Sequence, residues 1–325
     1  MALTSSSALG DSLRRRPWIY SFIGAAAVWL ATLALSGGAG AVQSLQTAMD
    51  FAMFFAIVGL GQMFVIAAGP GNIDLSVPSV MTLSGLIGMS VMGQDGAMIL
   101  PGLACALLVG VVVGTINFGL IAALRIPPIV ATLAMSLIVQ SVAIYAGGAA
   151  TLKPPAALNA IAVSRIAGIP VMPFLMVIVA GLMVLVLRRT LFGRGVLAVG
   201  QSARAAWLAG VNANRVHFYV YLLCAVMAAL AGILLAAFSG GASLDIGSQY
   251  QLASIAVVVV GGTSVLGGRA YPQGVWGASL FLYALVNLLN LAVVKFGLGS
   301  AGAGIRLILT GVMIVAIVAI AREQD

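Results

Sequence analysis

Side chains that could do catalytic or metal-binding chemistry are few in this 325-residue chain. His217 is the only histidine, and the two cysteines, Cys105 and Cys224, lie far apart inside apolar runs. A structural zinc site needs several converging histidine or cysteine ligands, and these residues are too few and too distant to form one. They also provide no set of nucleophile, base and orienting carboxylate. We therefore expect no metal, no cofactor and no enzyme active site, and we interpret His217 as an interfacial side chain.

The usual motif for binding and hydrolysing ATP is also missing. A phosphate-binding P-loop places a lysine, followed by serine or threonine, after a glycine-rich stretch. Lys153 is followed by Pro154, and Lys295 is followed by Phe296. Because no lysine fits the motif, we expect that this chain does not hydrolyse ATP by itself.

Asp74 has the most unusual position of the seven acidic residues, because it lies in a short break between two closely spaced apolar runs. A charge near hydrocarbon is costly and is usually satisfied by local donors. Asp74 precedes Leu75 and Ser76 at a predicted helix start, which favours a helix cap; a place along a transport pathway is the alternative. The remaining acidic residues are terminal (Asp11, Glu323 and Asp325) or lie at predicted helix ends facing outward (Asp50, Asp95 and Asp245). A proton- or sodium-driven carrier would be expected to contain more buried carboxylates or histidines.

The composition excludes a water-soluble globule. Hydrophobic residues make up 62% of the chain and charged residues 7%, and the mean hydropathy is +1.18, so too little polar surface is available to cover a soluble fold. No alternating pattern of short strands indicates a membrane barrel, and the predicted fold class is an all-α polytopic membrane protein. The basic residues lie at the ends of spans rather than on one polar face, which indicates membrane topology and not nucleic-acid binding.

Apolar stretches of spanning length predict about ten transmembrane helices. They lie at about 18–36, 47–68, 77–93, 97–124, 128–147, 171–187, 215–238, 250–266, 272–294 and 304–321. The run at 250–266 is short enough to be a partial or re-entrant segment. We expect an N-terminal tail over 1–16 and a single transmembrane domain over 17–325.

The distribution of basic residues predicts the orientation in the membrane. An even number of spans puts both termini on one side, and lysine and arginine accumulate in cytoplasmic loops. With the N-terminus in the cytoplasm, the cytoplasmic basic residues are Arg14, Arg15, Arg16, Arg125, Arg188, Arg189, Arg194, Arg204, Arg215, Arg269 and Arg322. The external ones are Lys153, Arg165, Lys295 and Arg306. The bias predicts cytoplasmic termini, and it places the segment 148–170 outside, as a docking surface or an ordinary connector.

Two glycine-rich breaks interrupt the spans, GPGNIDLSVPS at 69–79 and GGTSVLGGRAYPQG at 261–274. Paired interruptions of this kind often flank the substrate route of transporters. They suggest two pseudo-repeated halves, with helices 2–5 and 7–10 as the copies. The candidate pathway residues are Gly71, Asn72, Asp74, Ser76, Gly261, Gly262, Thr263 and Ser264. Amide side chains inside spans, namely Asn117, Gln140, Asn287 and Asn290, could recognise a hydroxyl-rich solute or bond one helix to another.

The segment 188–215 is the only long polar interruption of the chain, and it contains five arginines and no acidic residue. Ser202 can cap a helix start and Gly210 can adopt the left-handed conformation at a helix end, which predicts a short helix over 203–209. Ala203, Ala206 and Trp207 would form a small apolar face beside Arg204, suited to docking against another protein. The alternative is a charged loop that only sets membrane orientation.

Several stretches together resemble the permease subunits of bacterial ABC importers in the ribose, xylose and galactose group, which includes autoinducer-2 permeases and is related to branched-chain amino-acid permeases. They are IDLSV at 73–77, TLSG at 82–85, PPIVATLAM at 127–135, GQSARAAWLAGVN at 200–212 and IAVVVVGGTSVLGGRA at 255–270. The resemblance covers about residues 45–321. One departure is Pro78, which stands where the family usually has glycine, and it bears on the identity of the solute.

The resemblance implies a permease homodimer or heterodimer in the bacterial inner membrane, with ATP and Mg²⁺ bound in two cytoplasmic ATPase subunits. A periplasmic binding protein would deliver a monosaccharide or a related polyol or sugar derivative. On this interpretation 17–325 is a permease domain, and 188–215 is a coupling loop that ATPase closure pushes. The coupling residues would be Ser202, Ala203, Arg204, Ala206, Trp207 and Gly210.

Other functions compatible with the sequence differ in the solute or in the driving force. Within the importer class, the solute could be autoinducer-2 or a branched-chain amino acid. From other classes, an ion-coupled secondary carrier or channel would transport without an ATPase, and a membrane scaffold would not transport at all. The glycine-rich breaks would be surprising in a scaffold.

Overall fold

The computed structural model describes residues 17–38, 40–147, 152–166 and 168–297, together with residues 304, 308, 311 and 312. The N-terminal tail predicted at 1–16 and almost all of the last helix predicted at 304–321 lie outside these residues. Five of the basic residues used to predict orientation also lie outside them: Arg14, Arg15, Arg16, Arg306 and Arg322.

Within this part of the chain, twelve α-helices and one short β-hairpin form the structure. The helices are α1 (Ile19–Ser36), α2 (Ala41–Ala67), α3 (Val77–Met92), α4 (Ile99–Ala123), α5 (Pro128–Gly147), α6 (Ala156–Ala162), α7 (Val171–Arg189), α8 (Leu191–Gln201), α9 (Ala203–Leu208), α10 (Ala213–Phe238), α11 (Tyr250–Val260) and α12 (Pro272–Lys295). The hairpin pairs β1 (Arg165–Ile166) with β2 (Ile169–Pro170) in antiparallel register. The predicted all-α polytopic fold class is confirmed.

Seven helices are long and apolar enough to cross a membrane, namely α1, α2, α4, α5, α7, α10 and α12. Helix α3 has 16 residues and α11 has 11, so at about 1.5 Å per residue they are roughly 24 and 16 Å long, shorter than a hydrocarbon core of about 30 Å. The partial segment expected at 250–266 is confirmed, because its helix ends at Val260. The helix expected at 77–93 is present as α3, one residue shorter than the apolar run. The total of ten spans and the internal duplication stay predictions.

Helices α2 and α10 form the centre of the molecule. In the most apolar 18-residue window, 89% of α2 and 72% of α10 is buried, against 28% in α4 and in α5. Helix α10 packs against α2, α3 and α4, and α2 packs against α7, α11 and α12. The chain at the end of α2 and beside the first turns of α10 is therefore packed against several helices, which provide partners for its backbone groups.

Two glycines let α4 and α10 approach closely. A Cβ added at Gly110 would lie 2.6 Å from the carbonyl oxygen of Ala225, and one added at Gly114 would lie 2.9 Å from that of Tyr221. Gly110 and Gly114 lie one turn apart on the same face of α4, the small-xxx-small pattern that brings membrane helices together. The close contact positions Asn117, one further turn along α4, beside the start of α3.

Pro78 fits the start of α3 without interrupting it. It lies in the first turn of that helix, where the backbone N–H of any residue would lack a partner within the helix. The proline ring therefore removes no helical hydrogen bond. The departure from the glycine of the resembling family is compatible with the same break and the same helix.

Asp50 is not at a helix end, contrary to the sequence-based prediction. It lies inside α2 and is 7% exposed, and one of its carboxylate oxygens is 2.6 Å from Nη2 of Arg165. Gln46, one turn earlier on α2, donates from Nε2 to the carbonyl oxygen of Gly168 at 2.6 Å. These two contacts tie the β-hairpin of the segment 148–170 to α2. Asp95 does lie at a helix start, where it accepts a hydrogen bond from the N–H of Ala97.

The contact between α4 and α10 predicts different effects for two glycine substitutions on the same helix. Gly114→Ala is expected to lower the thermal unfolding midpoint in detergent, because overpacking against backbone costs about 1–3 kcal/mol. Gly119→Ala is the matched control, since a Cβ there would meet no described atom within 4 Å, and its midpoint is expected at or above that of the unmodified protein. Equal midpoints for the two variants would contradict the close contact.

Candidate functional site

The first break, residues 68–76, joins α2 to α3 and turns the chain inside the molecule. Gly69 and Gly71 have φ values of +139° and +76°, which side chains with a Cβ rarely adopt. Asn72 donates from Nδ2 to the carbonyl oxygen of Gly69 at 3.2 Å and closes this turn. The predicted pathway residues Gly71 and Asn72 therefore shape the turn, with Gly71 exposed and Asn72 partly buried.

Asp74, Ser76 and Asn117 form a buried hydrogen-bonded group at the end of this break. One carboxylate oxygen of Asp74 accepts from the N–H of Ser76 at 2.9 Å and from its hydroxyl at 2.6 Å. Asn117 donates from Nδ2 to Ser76 Oγ at 2.8 Å. All three residues are at most 1% exposed. Ser76 itself is the N-cap residue of α3, so the Asp74 carboxylate fixes the residue from which the helix starts.

Two side chains on other helices hold the first break. Thr132 of α5 accepts from the N–H of Leu75 at 3.0 Å and donates to the carbonyl oxygen of Ile73 at 3.2 Å. Tyr221 of α10 donates to Asn72 Oδ1 at 3.1 Å. These contacts satisfy backbone and side-chain groups that would otherwise be unpaired in an apolar environment. Their sequence positions gave no local signal of this role.

Three polar atoms of this group and its surroundings have no hydrogen-bond partner among the described residues. They are Oδ2 of Asp74, Oδ1 of Asn117 and Nε2 of Gln62. The other amide atom of Gln62, Oε1, accepts from the thiol of Cys224 at 3.4 Å. A buried polar atom without a partner is costly, and it can bind a water molecule or a polar solute when one reaches it.

The second break, residues 261–271, joins α11 to α12 through a hydrogen-bonded turn. The N–H of Ser264 donates to the carbonyl oxygen of Arg269 at 3.1 Å, and Thr263 Oγ1 accepts from the N–H of Tyr271 at 3.4 Å. Thr263 and Ser264 are buried. The tip of the turn exposes the apolar side chains of Val265 and Leu266.

The two breaks meet through their backbones. The N–H of Gly268 donates to the carbonyl oxygen of Ala67 at 3.0 Å. A residue of the second break thus provides the hydrogen-bond partner for the last carbonyl group of α2. Gly267 lies so close to Gly69 that a Cβ there would be 2.7 Å from its Cα. Of the predicted pathway residues, Asp74 and Ser76 are in direct contact, whereas the backbone contact between the breaks is made by Gly267 and Gly268, which the sequence analysis did not single out.

Helices α8 and α9 account for most of the polar segment 188–215. Ser202 accepts from the N–H of Ala205 at 3.2 Å as N-cap of α9, and Gly210 has a φ of +83° after its end. These local predictions are confirmed, with the helix ending at Leu208 rather than Ala209. Helix α8 was not predicted.

The exposed face of α9 differs from the predicted one. Ala206 is 3% exposed and belongs to the hydrophobic core, while Trp207 is 69% and Leu208 74% exposed. The prediction of Ala206 on the docking face is wrong, because helical periodicity shows that a face exists but not which side the fold covers. Ala203 and Arg204 remain exposed.

The amide side chains singled out inside spans bond mainly to neighbouring segments. Gln140 donates to the carbonyl oxygen of Leu244 at 3.2 Å, and Asn287 donates to Ser44 Oγ at 3.2 Å. No group of three or more histidine, cysteine, aspartate or glutamate residues that could hold a metal ion occurs in the described part of the chain. The distinctive polar site there is the pair of joined breaks.

Comparisons with known proteins match most of this chain. Residues 44–318 match the family described as branched-chain amino acid transport system / permease component. The ribose import permease protein RbsC of Escherichia coli K12 is 33% identical over 241 residues, covering 73% of this chain and 74% of that protein. The autoinducer 2 import system permease protein LsrD of Salmonella paratyphi B is 32% identical over 260 residues, covering 78% and 77%. No solved structure matches the chain with significance.

The contacts of Asp74 predict that its geometry matters for stability more than its charge. Asp74→Ala leaves the N–H and hydroxyl of Ser76 without their buried acceptor, which is expected to lower stability by about 1–3 kcal/mol. Asp74→Asn keeps an acceptor oxygen at that position and is expected to retain most of the stability. Thermal unfolding of both variants in detergent measures the difference. Equal losses would show that the negative charge is what the fold requires.

Proposed function

Because this chain belongs to the family described as branched-chain amino acid transport system / permease component, we propose that it passes a small hydroxyl-rich solute, a monosaccharide or related sugar derivative, across the bacterial inner membrane. As an ABC importer permease it is not itself an enzyme, and ATP hydrolysis belongs to separate subunits. The observation that carries the proposal is the similarity to the ribose import permease over about three quarters of both chains.

The choice of a sugar-like solute rests on the named relatives. Both are import permeases, one named for ribose and the other for autoinducer 2. The amide groups of Asn117 and Gln62 offer hydrogen-bonding atoms suited to a hydroxylated solute, provided that the breaks open to expose them. Gly71, Asn72, Asp74, Ser76, Gly261, Gly262, Thr263 and Ser264 are proposed to border the route. Autoinducer 2 or a branched-chain amino acid is the alternative solute.

Transport driven by an ion gradient is a less favoured alternative. Asp50 already pairs with Arg165 at 2.6 Å, and Asp74 accepts two hydrogen bonds from Ser76. Among the described residues only these two carboxylates are buried, and each has at least one local structural partner, although Oδ2 of Asp74 has no hydrogen-bond partner there. A carrier coupled to protons or sodium uses intramembrane carboxylates as its binding groups.

The partners follow from the importer class. We propose that two permease chains assemble with two cytoplasmic ATPase subunits, which bind ATP and Mg²⁺, and with a periplasmic binding protein that delivers the solute. The distribution of arginines along the sequence supports a cytoplasmic location of both termini. The hairpin at 165–170, tied to α2, then faces the periplasm.

The contact with the ATPase subunit is proposed to lie on α9. Its exposed surface carries Trp207 and Leu208, with Arg204 beside them. Large exposed aromatic and arginine side chains are the types that anchor protein interfaces. Ser202 and Gly210 define the ends of this helix, and Ala203 completes its exposed side.

Reconstitution tests the proposed function directly. The chain, its ATPase subunits and its binding protein are incorporated in or added to proteoliposomes, and uptake of labelled monosaccharides, autoinducer 2 and leucine is measured. We expect ATP-dependent accumulation of a monosaccharide, lost with a hydrolysis-inactive ATPase subunit. Uptake by the permease alone under an ion gradient would overturn the importer function, and uptake of leucine alone would overturn the choice of solute.

The exposed face of α9 predicts the effect of Trp207→Ala. Truncating an interface anchor is expected to lower ATP-dependent uptake and co-purification of the ATPase subunit by at least about tenfold, with no change in thermal stability because the side chain is exposed. Leu191→Ala is the matched control, since Leu191 is an 83% exposed side chain at the start of α8. The same uptake for both variants would remove α9 from the contact.

A further inference from the structure

Helix α9 is connected to α8 through a single residue. Ser202 is extended, with φ −163° and ψ 108°, and is at once the C-cap of α8 and the N-cap of α9. Its N–H donates to the carbonyl oxygen of Ala198 at 3.1 Å, and its hydroxyl oxygen accepts from the N–H of Ala205 at 3.2 Å. Because both helix ends are bonded to one residue, a displacement of α9 is passed to the last turn of α8.

The last turn of α8 lies against the hydrogen bond that joins the two breaks. A Cβ added at Gly200 would be 2.0 Å from the carbonyl oxygen of Ala67 and 2.4 Å from the nitrogen of Gly268. Those two atoms are the acceptor and the donor of the hydrogen bond between the breaks. Only a glycine allows the backbone of α8 to approach both breaks this closely.

Gln201 adds a side-chain contact at the same place. Its Nε2 donates to the carbonyl oxygen of Gly268 at 3.4 Å, and Gly268, with φ +76°, has no space for a side chain on the side of Gln201. Gly267, with φ +87°, is similarly close to Gly69 and to the carbonyl oxygen of Gly200. The last turn of α8, the end of α2 and the second break therefore meet at the backbone atoms of Ala67 and Gly268.

The other end of α9 leads to the first break as well. After Gly210, the N–H of Val211 donates to the carbonyl oxygen of Ala206 at 2.9 Å, and α10 begins two residues later. On α10, the ring nitrogen Nε2 of His217 is 3.4 Å from the carbonyl oxygen of Ala68. Each end of α9 is thus connected to the breaks over a short distance. The connection through α8, which contains Gly200, reaches both breaks, whereas the connection through α10 reaches the first break.

We propose that Gly200 and Gln201 form the joint through which a displacement of α9 moves both helix breaks together, with Gly200 as a positioning residue for transport. The inference rests on the proposed function, because it needs an ATPase subunit that pushes on α9. When α9 moves, the backbone of Gly200 shifts the carbonyl of Ala67 and the N–H of Gly268 as one unit. The exposed tip at Val265 and Leu266 moves with them.

The experiment measures solute uptake per ATP hydrolysed in the complete reconstituted importer. Gly200→Ala displaces α8 from the joint and is expected to lower this ratio at least about fivefold, since overpacking against backbone is poorly tolerated. ATP hydrolysis itself is expected to continue, because the exposed face of α9 is unchanged. Gly195→Ala is the matched control on the same helix, where a Cβ would lie 3.4 Å from Val216 Cγ2, an ordinary contact.

A second variant and a conformational measurement separate the joint from general damage to the fold. Gln201→Ala removes only the contact with Gly268 and is expected to lower the ratio about threefold, as for one neutral hydrogen bond. A thiol at Leu266→Cys is expected to change its labelling rate when the complex is trapped with ATP and vanadate, and to lose that change with Gly200→Ala.

Two opposite outcomes are distinguishable. If Gly200→Ala and Gln201→Ala transport as much solute per ATP hydrolysed as the unmodified complex, the proposed joint is wrong and the proposed function stands. If Gly200→Ala does not yield a folded protein, Gln201→Ala and the labelling of Leu266→Cys in the unmodified background decide the question. Absence of any ATP-dependent uptake by the unmodified complex would overturn the proposed function instead.

Discussion

Backbone hydrogen bonding in a low-dielectric environment is the constraint on which this structure depends. Each buried N–H and C=O group needs a hydrogen-bond partner, and a helix provides these partners until it is interrupted. Here two interruptions satisfy one another through Gly268 and Ala67, while Asp74, Thr132 and Tyr221 satisfy much of what remains. The backbone of the first break is therefore stabilised only where α10 and the second break pack against it.

Features that depend on neighbouring residues could be predicted from the sequence. Apolar runs located the spans, and the residue types of Ser202 and Gly210 located the ends of α9, because capping and left-handed conformations depend on single residues and their neighbours. The apolar run at 77–93 likewise located α3 to within one residue. Helix α8 was missed because its arginine and glycines are typical of a loop, although its other side packs into the core.

Features set by tertiary contacts could not be predicted in the same way. Asp50 and Arg165 are separated by 115 positions in the sequence, and nothing near either residue indicates the other. The burial of Ala206 depends on which side of α9 the fold covers. Asn117 was recognised as a polar residue inside a span, but its bond to Ser76 requires the close approach of α4 that Gly110 and Gly114 allow. The candidate site was thus located along the chain, while its contacts came from the fold.

A junction built from main-chain atoms has a consequence for evolutionary divergence. The carbonyl of Ala67 and the N–H of Gly268 are present whatever side chains surround them, and the glycines around them present no groups that could select a cargo. Side chains other than those at Gly200, Gly267 and Gly268 can therefore change while the hydrogen bond between the two breaks is kept. A change in solute preference therefore requires no change in the backbone contact between the two breaks.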